Sequence, residues 1–137
     1  MKALQAMTRN VVCIREQDSL QVARDLMAEW DIRHLPVTQG RKLVGILSDR
    51  DILPYLSGNP NIDLTRRTVG ETMSKRTIVC RPSDSITRIA SMMSTHKIDC
   101  VPVVEDESGE IVGLVTSMDL VDLLKEREIL DLSRMVP

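Results

Sequence analysis

"GILSDRD", residues 45–51, and "GLVTSMD", residues 113–119, place a glycine, a hydroxyl and an acid at one spacing twice within 137 residues. Working outward, other residues match at a constant offset of 66: Met7 with Met73, Asp18–Ser19 with Asp84–Ser85, Met27 with Met93, Ile32 with Ile98, and Pro36–Val37 with Pro102–Val103. Gly45 and Gly113 stand 68 apart, so two extra residues enter in "EDESGE" (105–110) relative to "TQGR" (38–41). An insertion confined to a turn is what a structural repeat tolerates.

Each copy carries the same order of patterns. "VVCI" (11–14) and "TIVC" (77–80) are short β-branched runs suited to strands. In "QDSLQVARDLMAEW" (17–30) and "SDSITRIASMMSTH" (83–96), apolar residues recur at helical spacing behind Asp18 or Ser19, and Asp84 or Ser85, as N-caps. "HLPV" and "KLVGILS" then frame a turn at Gly40, and "CVPVV" and "EIVGLVT" one at Gly109, as strand pairs. A closing helix starts at Ser48 or Thr116. Pro54 makes the first one short or kinked, whereas the second runs from about Ser117 past Glu128. The fold class is therefore α/β, built from two βαββα repeats. The expected boundaries are 1–58 for the first repeat, 59–68 for a linker, 69–128 for the second repeat, and 129–137 for a helical tail. Neither copy is long enough to be stable alone.

Composition excludes several functions. A formal net charge of −2 provides no field to recruit a nucleic acid duplex or an acidic membrane. Trp30 and Tyr55 are the only aromatic residues, too few for a stacking platform on single strands. Cys13, Cys80 and Cys100 form no CxxC pair and are odd in number, which fits buried reduced thiols and a cytoplasmic location. No segment has the apolar length for membrane insertion, and the start lacks a signal-peptide core. His34 and His96 lack metal-ligand spacing, and Ser48 and Thr116 lack the His or Lys pattern of an activated nucleophile. No metal site and no enzyme activity are expected.

The pattern resembles a tandem pair of cystathionine β-synthase (CBS) domains, also called a Bateman module. The resemblance runs from about Ala3 to Leu124 through the lead-ins "LQAMT" and "VGETMS", the segments "IRHLPV" and "IDCVPV", and the two glycine-to-acid stretches. It implies a pseudo-twofold pair of repeats whose sheets meet and leave two clefts. Such clefts commonly take adenosine-containing ligands such as AMP, ADP, ATP or S-adenosylmethionine, and sometimes cyclic dinucleotides. Such pairs commonly dimerise and regulate an enzyme, channel or transporter.

The residues offer a chemical rationale for that implication. A helix start presents unpaired N–H groups suited to phosphate oxygens, and the hydroxyl of Ser48 or Thr116 adds a donor. Asp51 and Asp119, acceptors only when ionised, can each take both hydroxyl protons of a ribose. The same S/T-x-x-D spacing is also a capping box, in which hydroxyl and acid satisfy backbone donors reciprocally. With no aromatic ring available, adenine would lie between aliphatic walls, for which the resemblance nominates Val12, Ile32 and Pro36, and Ile78, Ile98 and Pro102. Ordinary core packing is the competing reading for each. Arg33 and His34 could face phosphates, whereas the matching positions are Asp99 and Cys100, so the two clefts should differ in charge. Asp99 and Asp49 would repel a polyphosphate unless a cation such as Mg2+ bridged them. AMP or S-adenosylmethionine is therefore favoured over ATP.

The functional expectation is a stand-alone regulatory module, a homodimer, that binds an adenosine ligand and signals to a regulated protein. Leu53, Leu56, Leu120, Leu123 and Leu124 are candidates for the dimer seam. The alternative is a structural interaction module with vestigial clefts.

Overall fold

A computed structural model of the chain describes residues 1–56 and 61–133, with side chains through residue 126. The beginning of the expected linker (59–60) and the end of the expected tail (134–137) lie outside the described residues. The elements run α1 (Ala3–Ala6), α2 (Leu20–Trp30), β1 (His34–Gln39), β2 (Lys42–Ser48), α3 (Asp49–Ile52), a 3-10 turn (Leu53–Tyr55), a second 3-10 turn (Leu64–Arg66), α4 (Val69–Thr72), α5 (Ile86–His96), β3 (Cys100–Val104), β4 (Ile111–Thr116) and α6 (Ser117–Ser133). β1 pairs with β2 and β3 with β4, giving two small sheets.

α2 and α5 are the same helix written twice. Ser19 and Ser85 cap them, accepting the N–H of Val22 and of Arg88 at 3.2 and 3.1 Å. Asp18 and Asp84 are not the caps; their carboxylates instead accept the N–H of Arg15 and Arg81 at 3.0 and 2.8 Å, closing the turn before each helix. Both helices end in a left-handed residue that is not glycine, Asp31 (φ 51°) and Lys97 (φ 54°). Pro54 acts as expected: α3 gives way after four residues to a 3-10 turn with the proline in its first positions.

The expected first strand of each repeat is reduced to a single parallel bridge, Ile14 to Val37 and Cys80 to Val103. The Ile14 N–H donates to the Pro36 carbonyl at 3.0 Å and the Thr38 N–H to Ile14 at 2.9 Å; the Cys80 N–H donates to Pro102 and the Val104 N–H to Cys80, both at 2.9 Å. Extending either ladder backward would need a donor from residue 36 or 102 for the carbonyl of Val12 or Ile78. Both are proline, which has no N–H.

The chain divides into two compact units that cut across the sequence halves. One comprises Val11–Thr77 with Ser108–Ile111, and the other comprises Met1–Asn10, Ile78–Glu107 and the chain from Val112 onward. In the first, α4 supplies Val69 and Met73 to a core of Ile14, Leu20, Ala23, Met27, Leu35, Val37, Leu47, Ile52 and Leu64. In the second, α1 supplies Ala3 and Met7 to a core of Cys80, Ile89, Met93, Val101, Val103 and Val115. Each lead-in thus completes the unit built by the half of the chain it does not precede.

The glycine of each repeated stretch is explained by those lead-ins. A Cβ on Gly45 would lie 2.5 Å from the Met73 sulfur and 2.9 Å from the Ser74 carbonyl oxygen; one on Gly113 would lie 2.5 Å from the Met7 sulfur and 3.0 Å from the Thr8 carbonyl oxygen. The backbone on each side is pinned. Ser74 exchanges both backbone hydrogen bonds with Ile46 (2.9 and 3.0 Å), and Thr8 does so with Leu114 (2.8 and 3.0 Å).

Candidate functional site

In the unit built by the first half, β2 ends at Ser48, whose extended backbone turns the chain into α3. The Asp51 N–H donates to Ser48 Oγ at 3.3 Å and the Ser48 N–H donates to Asp51 Oδ2 at 2.8 Å, so the capping box is formed. The Asp49 N–H donates to the Arg33 carbonyl at 2.9 Å, and His34 stands opposite Ser48 in the β1–β2 register. The fold therefore brings Arg33, His34, Ser48 and Asp51 together. Val12 and Ile32 are half-buried against the adjoining core, and Pro36 is fully buried. Arg33, Asp49 and Arg50 are exposed.

The second unit repeats the construction with different chemistry. The Thr116 N–H donates to Asp119 Oδ2 at 2.8 Å, and the Asp119 N–H donates to Thr116 Oγ1 at 3.3 Å. The Thr116 hydroxyl also donates to Asp119 Oδ2 at 3.1 Å. The Ser117 N–H donates to the Asp99 carbonyl at 2.9 Å. Cys100, in the place of His34, is buried, and its thiol is pushed up to about 12 by burial first and then by the Asp99 and Asp119 carboxylates. Asp99 and Asp119 thus both act on the Cys100 thiol, so this end of the second unit is acidic, whereas at the matching end of the first unit the exposed Arg33 offers its backbone carbonyl to Asp49. Ile98 is half-buried against its core, Ile78 is half-buried, and Pro102 is fully buried.

These geometries narrow the chemistry. The chain itself uses two first-turn N–H groups at each closing helix, and Thr116 gives its hydroxyl proton to Asp119. Each cap engages Oδ2, leaving the other carboxylate oxygen for further hydrogen bonding. At Asp119 that oxygen accepts a long bond from the Thr8 hydroxyl, 3.4 Å, a contact not foreseen from the sequence. A signal for it existed: Thr8 and Ser74 are a hydroxyl pair at the repeat offset, each directly after the lead-in methionine. Each proline that ends the parallel bridge also leaves the Val12 or Ile78 carbonyl without a ladder donor from that position.

The remaining titratable features are structural. The Cys80 thiol is pushed up to about 11, by burial first and then by Asp84, and burial alone raises Cys13. Such thiols are poor nucleophiles. Among the described residues, no group of three or more His, Cys, Asp or Glu is placed to hold a metal ion, and no helix is long and apolar enough to cross a membrane.

Comparison with known proteins matches the CBS domain model twice, over residues 2–58 and 69–126. Among curated proteins, the chain is 39% identical over 112 residues to an inosine-5′-monophosphate dehydrogenase of Korarchaeum cryptofilum; the match takes in 82% of this chain but only 22% of that enzyme. Among solved structures, the CBS domain pair of protein MJ0100 in complex with 5′-methylthioadenosine and S-adenosyl-L-methionine superimposes with a TM-score of 0.82 at 27% identity, covering 93% of this chain and 98% of that one. CBSX2 in complex with AMP superimposes with a TM-score of 0.81 at 25% identity, covering 91% and 97%.

Proposed function

The chain belongs to the CBS domain family, and from that premise we propose that it is a regulatory module that binds an adenosine-containing ligand and passes the bound state to a partner protein. The observation that carries the reading is the duplicated box: a half-buried carboxylate beside a helix start, with one oxygen not used by the cap, in each of two repeats. Two similar structures hold AMP, or 5′-methylthioadenosine with S-adenosylmethionine, which supports adenosine as the common element.

In this reading Asp51 and Asp119 accept ribose hydroxyls. Val12, Ile32 and Pro36 in one unit, and Ile78, Ile98 and Pro102 in the other, flank adenine, and the carbonyls of Val12 and Ile78 accept from its amino group. Arg33 and His34, near Ser48, favour a ligand carrying phosphate. The acidic surroundings of Asp119 favour an uncharged or sulfonium tail, or a phosphate accompanied by Mg2+. Signalling follows if the ligand stabilises one conformation of the module more than another, since equal affinity for both shifts nothing. In this reading the role is regulatory, and the Ser48 and Thr116 hydroxyls serve as caps. Its three unpaired cysteines suit the cytoplasm.

Thermal melting with AMP, ADP, ATP with and without Mg2+, and S-adenosylmethionine tests the proposal. A ligand at 100 times its Kd adds about 2.7 kcal/mol of stability. Asn at 51 or 119 retains an acceptor for the cap but replaces one carboxylate oxygen by a donor, so Asp51→Asn and Asp119→Asn should each reduce the ligand-induced shift while leaving the unliganded stability within about 1 kcal/mol of wild type. No shift with any of these ligands would leave the family's interaction role as the function.

A further inference from the structure

The two closing acids are unequally engaged by their own chain. An ionised carboxylate has about four acceptor positions, two on each oxygen. Among the described residues, Asp51 has one in use, the Ser48 N–H on Oδ2 at 2.8 Å. Asp119 has three in use: its Oδ2 accepts the Thr116 N–H at 2.8 Å and the Thr116 hydroxyl at 3.1 Å, and its Oδ1 accepts the Thr8 hydroxyl at 3.4 Å. Thr8 and Thr116 thus set one hydroxyl on each carboxylate oxygen, the pairing a vicinal diol would make. Ser74 stands 66 residues after Thr8 and is exposed, yet among the described residues it makes no matching bond to Asp51.

We infer that Thr8 is a built-in competitor for a ribose diol at Asp119, so that the second unit's site exchanges a bond of its own chain when it fills. The inference rests on the proposed adenosine reading and adds a regulation to it. Asp51 has about three positions left and can take two ribose hydroxyls with the chain's bonds unchanged. Asp119 has about one left, so a second ribose hydroxyl requires one of the two threonines to release its bond. Thr116 is held, because its hydroxyl also accepts the Asp119 N–H at 3.3 Å within the cap. Thr8 is the one to give way: its bond is the longest of the three, beyond the usual O–H···O range, and its side chain is exposed. Its backbone need not move, since Leu114 holds it through two hydrogen bonds of 2.8 and 3.0 Å. The unit therefore has two states, Thr8 on Asp119 and Thr8 released, and a diol binds with both hydroxyls only to the second. That is the differential affinity a population shift requires. Filling at Asp51 carries no such exchange.

Calorimetric titration of adenosine into the full-length Asp51→Asn protein, where Asp119 is the remaining closing acid, tests it. Adenosine supplies the diol without a charged tail. Adding Thr8→Val removes the hydroxyl but keeps the branched shape and the backbone pairing to Leu114. It should tighten adenosine binding about fivefold, a modest factor because the bond it removes is long. Adding Thr8→Ser instead restores a hydroxyl and should return the affinity to within about twofold of the Asp51→Asn parent. The dideoxy analogue lacking both the 2′ and 3′ hydroxyls has nothing to compete with, so Thr8→Val should leave its affinity unchanged. If Thr8→Val binds adenosine no more tightly than its parent, or tightens the dideoxy analogue equally, the competitor role is wrong while the adenosine reading stands. If neither adenosine nor AMP binds the wild type, both are overturned.

Discussion

Replacing Gly45 with alanine tests the packing that places the closing box. The new Cβ would sit 2.5 Å from the Met73 sulfur, 3.1 Å from its Cγ and 2.9 Å from the Ser74 carbonyl oxygen. The thioether can swing aside, because methionine is flexible. The carbonyl cannot, because it accepts the Ile46 N–H at 3.0 Å while the Ser74 N–H is bound back to Ile46. Overpacking of this kind costs about 1–3 kcal/mol. Restricting the unfolded chain by Gly→Ala offsets about 0.4–1 kcal/mol of that. The net expectation is a loss of about 1–2 kcal/mol, or about 3–8 °C in melting temperature for a chain of this size. Urea denaturation gives the free energy directly, and a double-mutant cycle with Met73→Ala should show coupling of at least about 0.5 kcal/mol. Gly113→Ala should cost less, since its sub-3.0 Å contacts are both with the Met7 side chain. A neutral or stabilising Gly45→Ala, or strict additivity with Met73→Ala, would refute the claim that the glycine exists to admit the lead-in.

Lys97→Gly should stabilise the chain by about 0.5–1 kcal/mol in the same assay, because Lys97 caps α5 at φ 54° with a Cβ that glycine lacks; Asp31→Gly at the equivalent cap should gain less, since Asp tolerates this region better. Stability should fall at alkaline pH. The Cys100 thiol stays protonated up to about 12 when folded but ionises near 9 when unfolded, so its contribution is intact below pH 9 and declines as pH rises toward 12, by about 1.4 kcal/mol per pH unit. Cys100→Ala should flatten that part of a melting-temperature profile.

Much of the architecture was legible because it was written twice. The caps, the strand pairs, the break at Pro54 and the long last helix all follow from local chemistry that a sequence displays. The losses have physical causes too. "VVCI" and "TIVC" have strand composition, yet a strand also needs partner donors, and Pro36 and Pro102 withhold them. α1 and α4 are four residues each, shorter than any window in which helical periodicity registers. That each lead-in completes the unit of the other half is a tertiary choice with no local signature, although Gly45 and Gly113 mark where something must approach closely. The candidate site was legible as residue types. The division of labour between cap and free carboxylate oxygen, and the arrival of Thr8 at Asp119, required coordinates.

The most direct measurement for the proposed function is calorimetric titration of AMP beside 2′-deoxy-AMP. If Asp51 or Asp119 holds the ribose through both hydroxyls, loss of one charge-assisted hydrogen bond should weaken binding about tenfold or more, and Asp51→Asn and Asp119→Asn should narrow that difference. Equal affinity of the wild type for the two nucleotides, or a preference unchanged in both variants, would contradict the account.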